Sequence, residues 1–221
     1  MSATFHFLAH HPEVLRKALN ELQSTFSGEN EVTIGAILES CKYLQACINE
    51  AMRMTPSVPN PLPRFVLPEG TAVDDEWIPA GTIIGASQYA VYRNPEQFRE
   101  PDRFLPERWL ENERDFEGME NKEQSQHTFL PFGSGPRTCV GWKLAWWETN
   151  LTIARTLLQY DWRPEHGEAL CHGLVCSGDC SYPLKGYVRC VGRRRAVSAV
   201  QAQGMRTWRA LECLSSEAYI L

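Results

Sequence analysis

The reactive chemistry of this sequence is concentrated in Phe132-Gly133-Ser134-Gly135-Pro136-Arg137-Thr138-Cys139-Val140-Gly141. Once deprotonated, Cys139 is a soft metal ligand or a nucleophile. Gly135 and Gly141 allow positive φ and close backbone approach, so the segment is expected to fold tightly around Cys139 and aim backbone N–H groups at its sulfur. The helix that follows brings the positive end of its dipole to the same place. Arg137 carries a permanent charge on a planar fork that grips a carboxylate with two hydrogen bonds. The chemistry on offer is a metal-ligating or nucleophilic thiolate beside an anion clamp.

Those residues need elements to position them. After Gly141, the stripe Leu144, Trp147, Leu151, Ala154 and Leu158 predicts a buried helix ending near Asp161-Trp162, with Trp142, Trp146 and Trp147 as core packing. In the first half, Pro12 and Glu13 suit a helix start opened by His10-His11, which is read as a helix-start pair and not a metal site. Leu15, Ala18, Leu19 and Leu22 give that helix its apolar face, and Ser27-Gly28-Glu29-Asn30 ends it. Ile34, Ile37, Leu38, Cys41, Leu44, Ile48 and Met52 predict one or two further helices ending before Pro56. Five prolines between Pro56 and Pro68 force irregular or edge-strand backbone. Phe65-Val66-Leu67 and Thr82-Ile83-Ile84 read as strands of a small antiparallel sheet, with Pro79 and Gly81 at the second and fourth positions of a type I turn. The charged stretch 111–126 reads as solvated, and no regular period survives beyond Trp162. The fold class that follows is mainly α with a small antiparallel β component.

Composition narrows the partners. The 221 residues are 43% hydrophobic and 22% charged, as in soluble globular proteins. A net charge of -5 offers no basic field for nucleic acid, so no nucleic-acid partner is expected. No run approaches the roughly 20 apolar residues of a membrane span, and the first residues lack a signal peptide, so the chain reads as cytoplasmic and without an anchor. The eight cysteines are irregularly spaced and read as free thiols. Arg193-Arg194-Arg195 reads as a solvated charge run.

Phe132, Gly135, Arg137, Cys139 and Gly141 together resemble the haem-ligand signature Phe-x-x-Gly-x-Arg-x-Cys-x-Gly of the cytochrome P-450 haem-thiolate monooxygenases. Ordinary residue usage produces such a match on the order of 10⁻⁷ times per starting position. Glu50-Ala51-Met52-Arg53 resembles the family's Glu-x-x-Arg helix, and Pro106-Glu107-Arg108-Trp109 its Pro-Glu-Arg-Phe/Trp segment. By that resemblance Glu50, Arg53 and Arg108 form one buried triad, a structural lock and not a catalytic group. Ile78 to Thr82, Tyr89 to Pro95 and Phe98 to Phe104 are similar to the family as well.

The resemblance implies the C-terminal part of the cytochrome P-450 fold, of the microsomal, eukaryotic, fungal-like kind. Cys139 becomes the axial thiolate on the iron of haem b (iron protoporphyrin IX), and Phe132 the ring covering it. Arg137 and Arg64 become propionate partners. Such a site inserts one oxygen atom into a small apolar organic substrate, fed by an NADPH-dependent reductase, on the cytosolic face of the endoplasmic reticulum membrane. Residues 1–162 would be the haem-binding part and 163–221 a divergent Cys-rich tail, in which Pro183 to Arg189 is a weak echo of the family's terminal strands. The family's distal acid-alcohol pair would lie upstream of Ala3, so a truncated, catalytically inactive haem-thiolate fragment is one rival reading. The other is a Cys-rich structural or zinc module built on Cys171, His172, Cys176 and Cys180, whose spacing lacks paired C-x₂-C ligands.

Overall fold

Helices dominate the residues described by the computed structural model, which are 1–110, 128–164, 188–191 and 217–219. α1 (Ser2–His10) and α2 (Pro12–Thr25) are separated by His11 alone, and Pro12 stands where a missing N–H leaves nothing unsatisfied. His10 and His11 finish α1 as much as they start α2. Nδ1 of each lies 2.8 Å from a carbonyl four residues back, those of His6 and Phe7. The pair thus adds side-chain donors or acceptors to the last turns of α1. α1 itself has no sequence period to betray it, because Thr4, Phe5, Phe7, Leu8 and Ala9 are buried all round the helix.

α2 buries Val14, Leu15, Ala18 and Leu22, the face its spacing predicts. The next segment divides into α3 (Ala36–Glu39) and α4 (Lys42–Met54), broken at Ser40 and Cys41. Leu38, Cys41, Leu44 and Ile48 enter the core, but Ile34 and Ile37 are exposed, because one turn of α3 is too short to carry their stripe onto the face that α4 buries. Glu21 reaches from α2 to the start of α4, where its two oxygens accept the Tyr43 and Leu44 N–H groups at 2.9 Å each. A carboxylate there satisfies two of the helix's free donors and complements its dipole.

α6 (Trp142–Gln159) closes the core with Ile153, Ala154 and Leu157 against α2 and α4. Only its second half is buried. Trp142, Leu144 and Trp147 are exposed and Leu151 and Leu158 only partly buried, so of the expected stripe Ala154 alone is buried, and the core face is instead Ile153, Ala154 and Leu157. Trp146 does pack against the core. The cause is geometric: α2 and α4 pack along the C-terminal turns, and among the described residues nothing covers the first two.

Between α4 and α5 (Gln88–Val91) lie two short antiparallel ladders, β1 (Arg64–Phe65) with β4 (Ile83–Ile84) and β2 (Thr71–Val73) with β3 (Glu76–Ile78). The hairpin joining β2 to β3 turns on Asp74 and Asp75, both at positive φ, 47° and 66°. Aspartate tolerates that region, but a paired Asp is a weaker hairpin signal than Asn-Gly or Asp-Gly. The next turn is displaced by one residue from the expected position. Thr82 N–H bonds Pro79 O at 3.3 Å and Gly81 sits at φ 79°, so Pro79 opens the turn and glycine fills its third position.

A third sheet runs β5 (Asp161–Pro164), β6 (Val188–Val191), β7 (Glu217–Tyr219), all antiparallel. Strand β5 straddles residue 162, and two segments beyond it pair back onto the same sheet. The charged stretch 111–126, the set Cys171, His172, Cys176 and Cys180, and Arg193 to Arg195 lie outside the described residues. Among the described residues no helix is long and apolar enough to cross a membrane.

Glu107 joins this core to its surface, accepting Lys17 Nζ at 2.6 Å and the Tyr43 hydroxyl at 2.8 Å. Burial pushes its carboxyl up, but the bonds from Lys17 and Tyr43 outweigh this and hold it below the usual value. A lowered carboxyl stabilises the fold above the unfolded-state pKa, and that contribution is lost as pH falls through the folded-state value. Lys17→Met is therefore expected to lower stability at neutral pH and to narrow its gap from wild type as acid protonates Glu107. Urea unfolding as a function of pH measures this, and a gap that stays constant into acid contradicts it.

Candidate functional site

A spacing of three puts Glu50 and Arg53 on one face of α4, and that face is buried, so their charges must be satisfied inside the protein. Arg53 donates Nε to Glu50 Oε2 at 3.0 Å and Nη2 to Oε1 at 2.9 Å. Arg108, in the 3-10 turn Pro106–Trp109, brings Nε within 3.0 Å of both oxygens. Glu50 and Arg53 are 0% exposed and Arg108 8%. Two further donors on Glu50 have no sequence signature: the Leu105 N–H at 3.0 Å and the Trp109 indole N–H at 2.9 Å. The rest of the guanidinium donors go to backbone carbonyls. Arg53 binds Tyr92 O and Arg103 O at 2.7 and 3.3 Å; Arg108 binds Arg99 O and Glu100 O at 2.9 and 3.4 Å. Burial pulls the Arg108 guanidinium below its usual range, opposed by the Glu50 carboxylate. One buried carboxylate and two cations thus pin the irregular chain from Tyr92 to Trp109 onto α4.

Arg93 was not singled out by the sequence. It donates Nη2 to Met54 O at 2.7 Å, lies 3.8 Å from the Tyr89 ring centroid and has Asp102 at 3.6 Å from Nε. A cation at the end of α4 is favoured by the helix dipole. The signal that could have found it is its spacing of four from Tyr89, which suits a cation over a ring on one helical turn.

The pinned segment leads to the thiol loop. The Phe129 ring packs on Trp109 and Tyr92 at 4.5 and 5.2 Å between centroids. The Leu130 N–H donates to the Tyr92 hydroxyl at 3.1 Å, and Leu130 O accepts Gln88 Nε2 at 3.0 Å. From there the chain folds on itself: Gly133 N–H to Leu130 O at 3.0 Å, Thr138 N–H to Gly135 O at 3.1 Å, and Cys139 N–H to Phe132 O at 2.8 Å. The last bond brings Phe132 and Cys139 together across the loop. Gly133 and Gly135 adopt φ 74° and 65°, the left-handed region that the bend requires.

Two expectations about this loop need correction. Gly141 has φ -88°, open to any residue, so positive φ belongs to Gly133 and Gly135. The Cys139 N–H is committed to Phe132 O, and among the described residues no hydrogen bond reaches Sγ. The Thr138 and Cys139 amides close the loop instead.

Cys41, Cys47 and Cys139 are free thiols. Cys41 and Cys47 are buried, and burial pushes both thiols up, Cys47 strongly. Cys139 is exposed. Arg137 is also exposed and, among the described residues, without an ion-pair partner. A Cβ added at Gly135 or Gly141 would meet nothing within 4 Å. Val140, just after the thiol, and Trp142, Leu144 and Trp147, in the first turns of α6, are exposed as well. Arg64 lies exposed on β1 with Nη1 on Pro63 O. Among the described residues no group of three His, Cys, Asp or Glu side chains could enclose a metal ion, so Cys139 offers a single protein ligand and not a set. Among the described residues the loop thus presents an exposed thiol and a cation without an ion pair, followed by exposed apolar side chains at the start of α6.

Comparison with known proteins gives the family. The chain is 38% identical over 184 residues to cytochrome P450 monooxygenase atnE of Emericella nidulans, covering 83% of this chain and 34% of that protein. It is 36% identical over 162 residues to cytochrome P450 monooxygenase cpaH of Aspergillus oryzae, covering 73% and 30%, and 37% identical over 174 residues to cytochrome P450 monooxygenase apf8 of Gibberella fujikuroi, covering 78% and 47%. The chain spans about a third of the length of the first two relatives. The family described as Cytochrome P450 matches residues 1–173, and this chain belongs to the cytochrome P450 family.

Proposed function

We propose that Cys139 is the axial thiolate ligand of haem b, and that the protein is a monooxygenase acting on a small apolar organic substrate with electrons from an NADPH-dependent reductase. A place on the cytosolic face of the endoplasmic reticulum belongs to the same proposal. So does a division into a haem-binding part, 1–162, and a divergent tail, 163–221. Because the chain spans about a third of its relatives' length, ligation is proposed of this chain and turnover of the whole protein.

The observation that carries the reading is the exposed thiol of Cys139 two residues after the exposed Arg137, which among the described residues has no ion-pair partner, with exposed apolar side chains following at Val140 and Trp142. The residues suit a flat apolar macrocycle bearing two carboxylates. Gly135 and Gly141 leave open space where a side chain would intrude. Val140, Trp142 and Leu144 offer apolar surface whose burial on the order of 25 cal/mol per Å² favours binding. Arg137 is assigned to one propionate and Arg64 to the other, each by charge-assisted hydrogen bonds. When bound, a thiolate-ligated haem supplies electron-rich iron that favours O–O cleavage. The protein's part is positional. The Phe132 carbonyl fixes the Cys139 amide, the bends at Gly133 and Gly135 keep the sulfur on the surface of the loop, and the Phe132 side chain, itself half-buried, is assigned to shield it.

The test is the reduced, carbon-monoxide-bound absorption spectrum of the chain supplied with haem, alongside Cys139→Ser. A strongly red-shifted Soret band in the wild type and its loss in the variant are the expected result. A band indifferent to the substitution would place the ligand elsewhere.

A further inference from the structure

We propose that Tyr92 is a positioning residue for Cys139, its hydroxyl holding Leu130 and through it the turn that presents the thiol. The inference rests on Cys139 being the functional thiol and says how the buried core reaches it. The thiol loop cannot set its own geometry by burial, since the chain from Ser134 to Val140 is exposed. Its shape depends on a few hydrogen bonds, and their root is Leu130. Leu130 O already takes Gly133 N–H and Gln88 Nε2, while the Leu130 N–H has one acceptor among the described residues, the Tyr92 hydroxyl.

Tyr92 is suited to hold that root still. It is 1% exposed, its N–H bonds Gln88 O at 2.9 Å, and its carbonyl takes Arg53 Nη1 at 2.7 Å. The ring lies edge-on to Phe98 at 6.2 Å and tilted to Phe129 at 5.2 Å. Burial pushes the phenol up to about 12, so it remains a neutral hydroxyl wherever the fold persists. A continuous set of contacts therefore runs from the buried Glu50–Arg53 pair through the Tyr92 backbone and side chain to Leu130, then by the Phe132 carbonyl to the Cys139 amide. The triad is a lock on the fold; Tyr92 extends it to the site.

Tyr92→Phe keeps the ring and removes the bond. Tyr43→Phe, which loses a hydroxyl bond to Glu107 instead, is the comparison for general destabilisation. Amide hydrogen exchange at Leu130 and Cys139 is expected to quicken about fivefold in Tyr92→Phe, the factor one net hydrogen bond corresponds to. Exchange in α4 and α6 should match that of Tyr43→Phe. With haem supplied, a smaller fraction of the Tyr92→Phe protein should show the red-shifted carbon-monoxide band. Unchanged exchange at Leu130 and Cys139, or acceleration shared equally by α4 and α6, overturns the proposal, as does faster loop exchange with an undiminished band. If the wild type itself shows no such band, the ligand reading falls, and the exchange rates still decide whether Tyr92 sets the loop.

Discussion

Glu50→Ala is expected to cost about 3 to 5 kcal/mol, the loss typical of breaking a buried ion pair from one side. That is a large share of the roughly 5 to 15 kcal/mol by which domains are stable. The alanine would leave Arg53, wholly buried, and Arg108 with no anion, and would strip acceptors from the Leu105 N–H and the Trp109 indole. Each stranded group keeps its desolvation cost. Replacing Glu50, Arg53 and Arg108 together by apolar residues of similar volume would remove the charges, a change that is often neutral in other buried pairs. Here it should still destabilise, because the carbonyls of Tyr92, Arg99 and Arg103 would lose their donors. Urea unfolding followed by far-ultraviolet circular dichroism measures both. A loss below about 1 kcal/mol for Glu50→Ala, the scale of an exposed ion pair, would mean that water reaches the carboxylate.

The parts legible in the sequence share a feature: they depend on residue type at fixed local spacing. Glu50 and Arg53 meet because helical geometry places positions three apart on one face, and α2 shows its apolar stripe because one side faces solvent. The bend of the thiol loop was legible for the same reason, since glycine marks left-handed backbone, although Gly133 carries the role expected of Gly141. What stayed hidden needs tertiary partners. α1 is buried on every side and has no period to read. Glu21 capping α4 across 22 residues, the Trp109 indole on Glu50, and the Tyr92 hydroxyl on Leu130 are bonds between segments whose proximity no local pattern encodes. Backbone partners such as Leu105 N–H and Tyr92 O leave no trace in residue identity at all.

Leu157→Ala and Leu144→Ala are expected to differ sharply, although both residues are leucines of α6. Leu157 is 0% exposed and sits with Ile153 and Ala154 in the core formed with α2 and α4. Removing its side chain leaves a cavity and loses transfer free energy, together about 2 to 5 kcal/mol. Leu144 is 67% exposed, and its truncation should stay within about 0.5 kcal/mol when no haem is present. Supplying haem should separate them in the opposite sense. On the proposed reading the exposed Leu144 side chain contributes apolar surface to haem, so Leu144→Ala should weaken haem retention while leaving apo stability alone. Leu157→Ala should lower stability with or without haem. Unfolding curves of both variants in each state test this, and equal losses for the two leucines without haem would mean that the first turns of α6 are covered in solution.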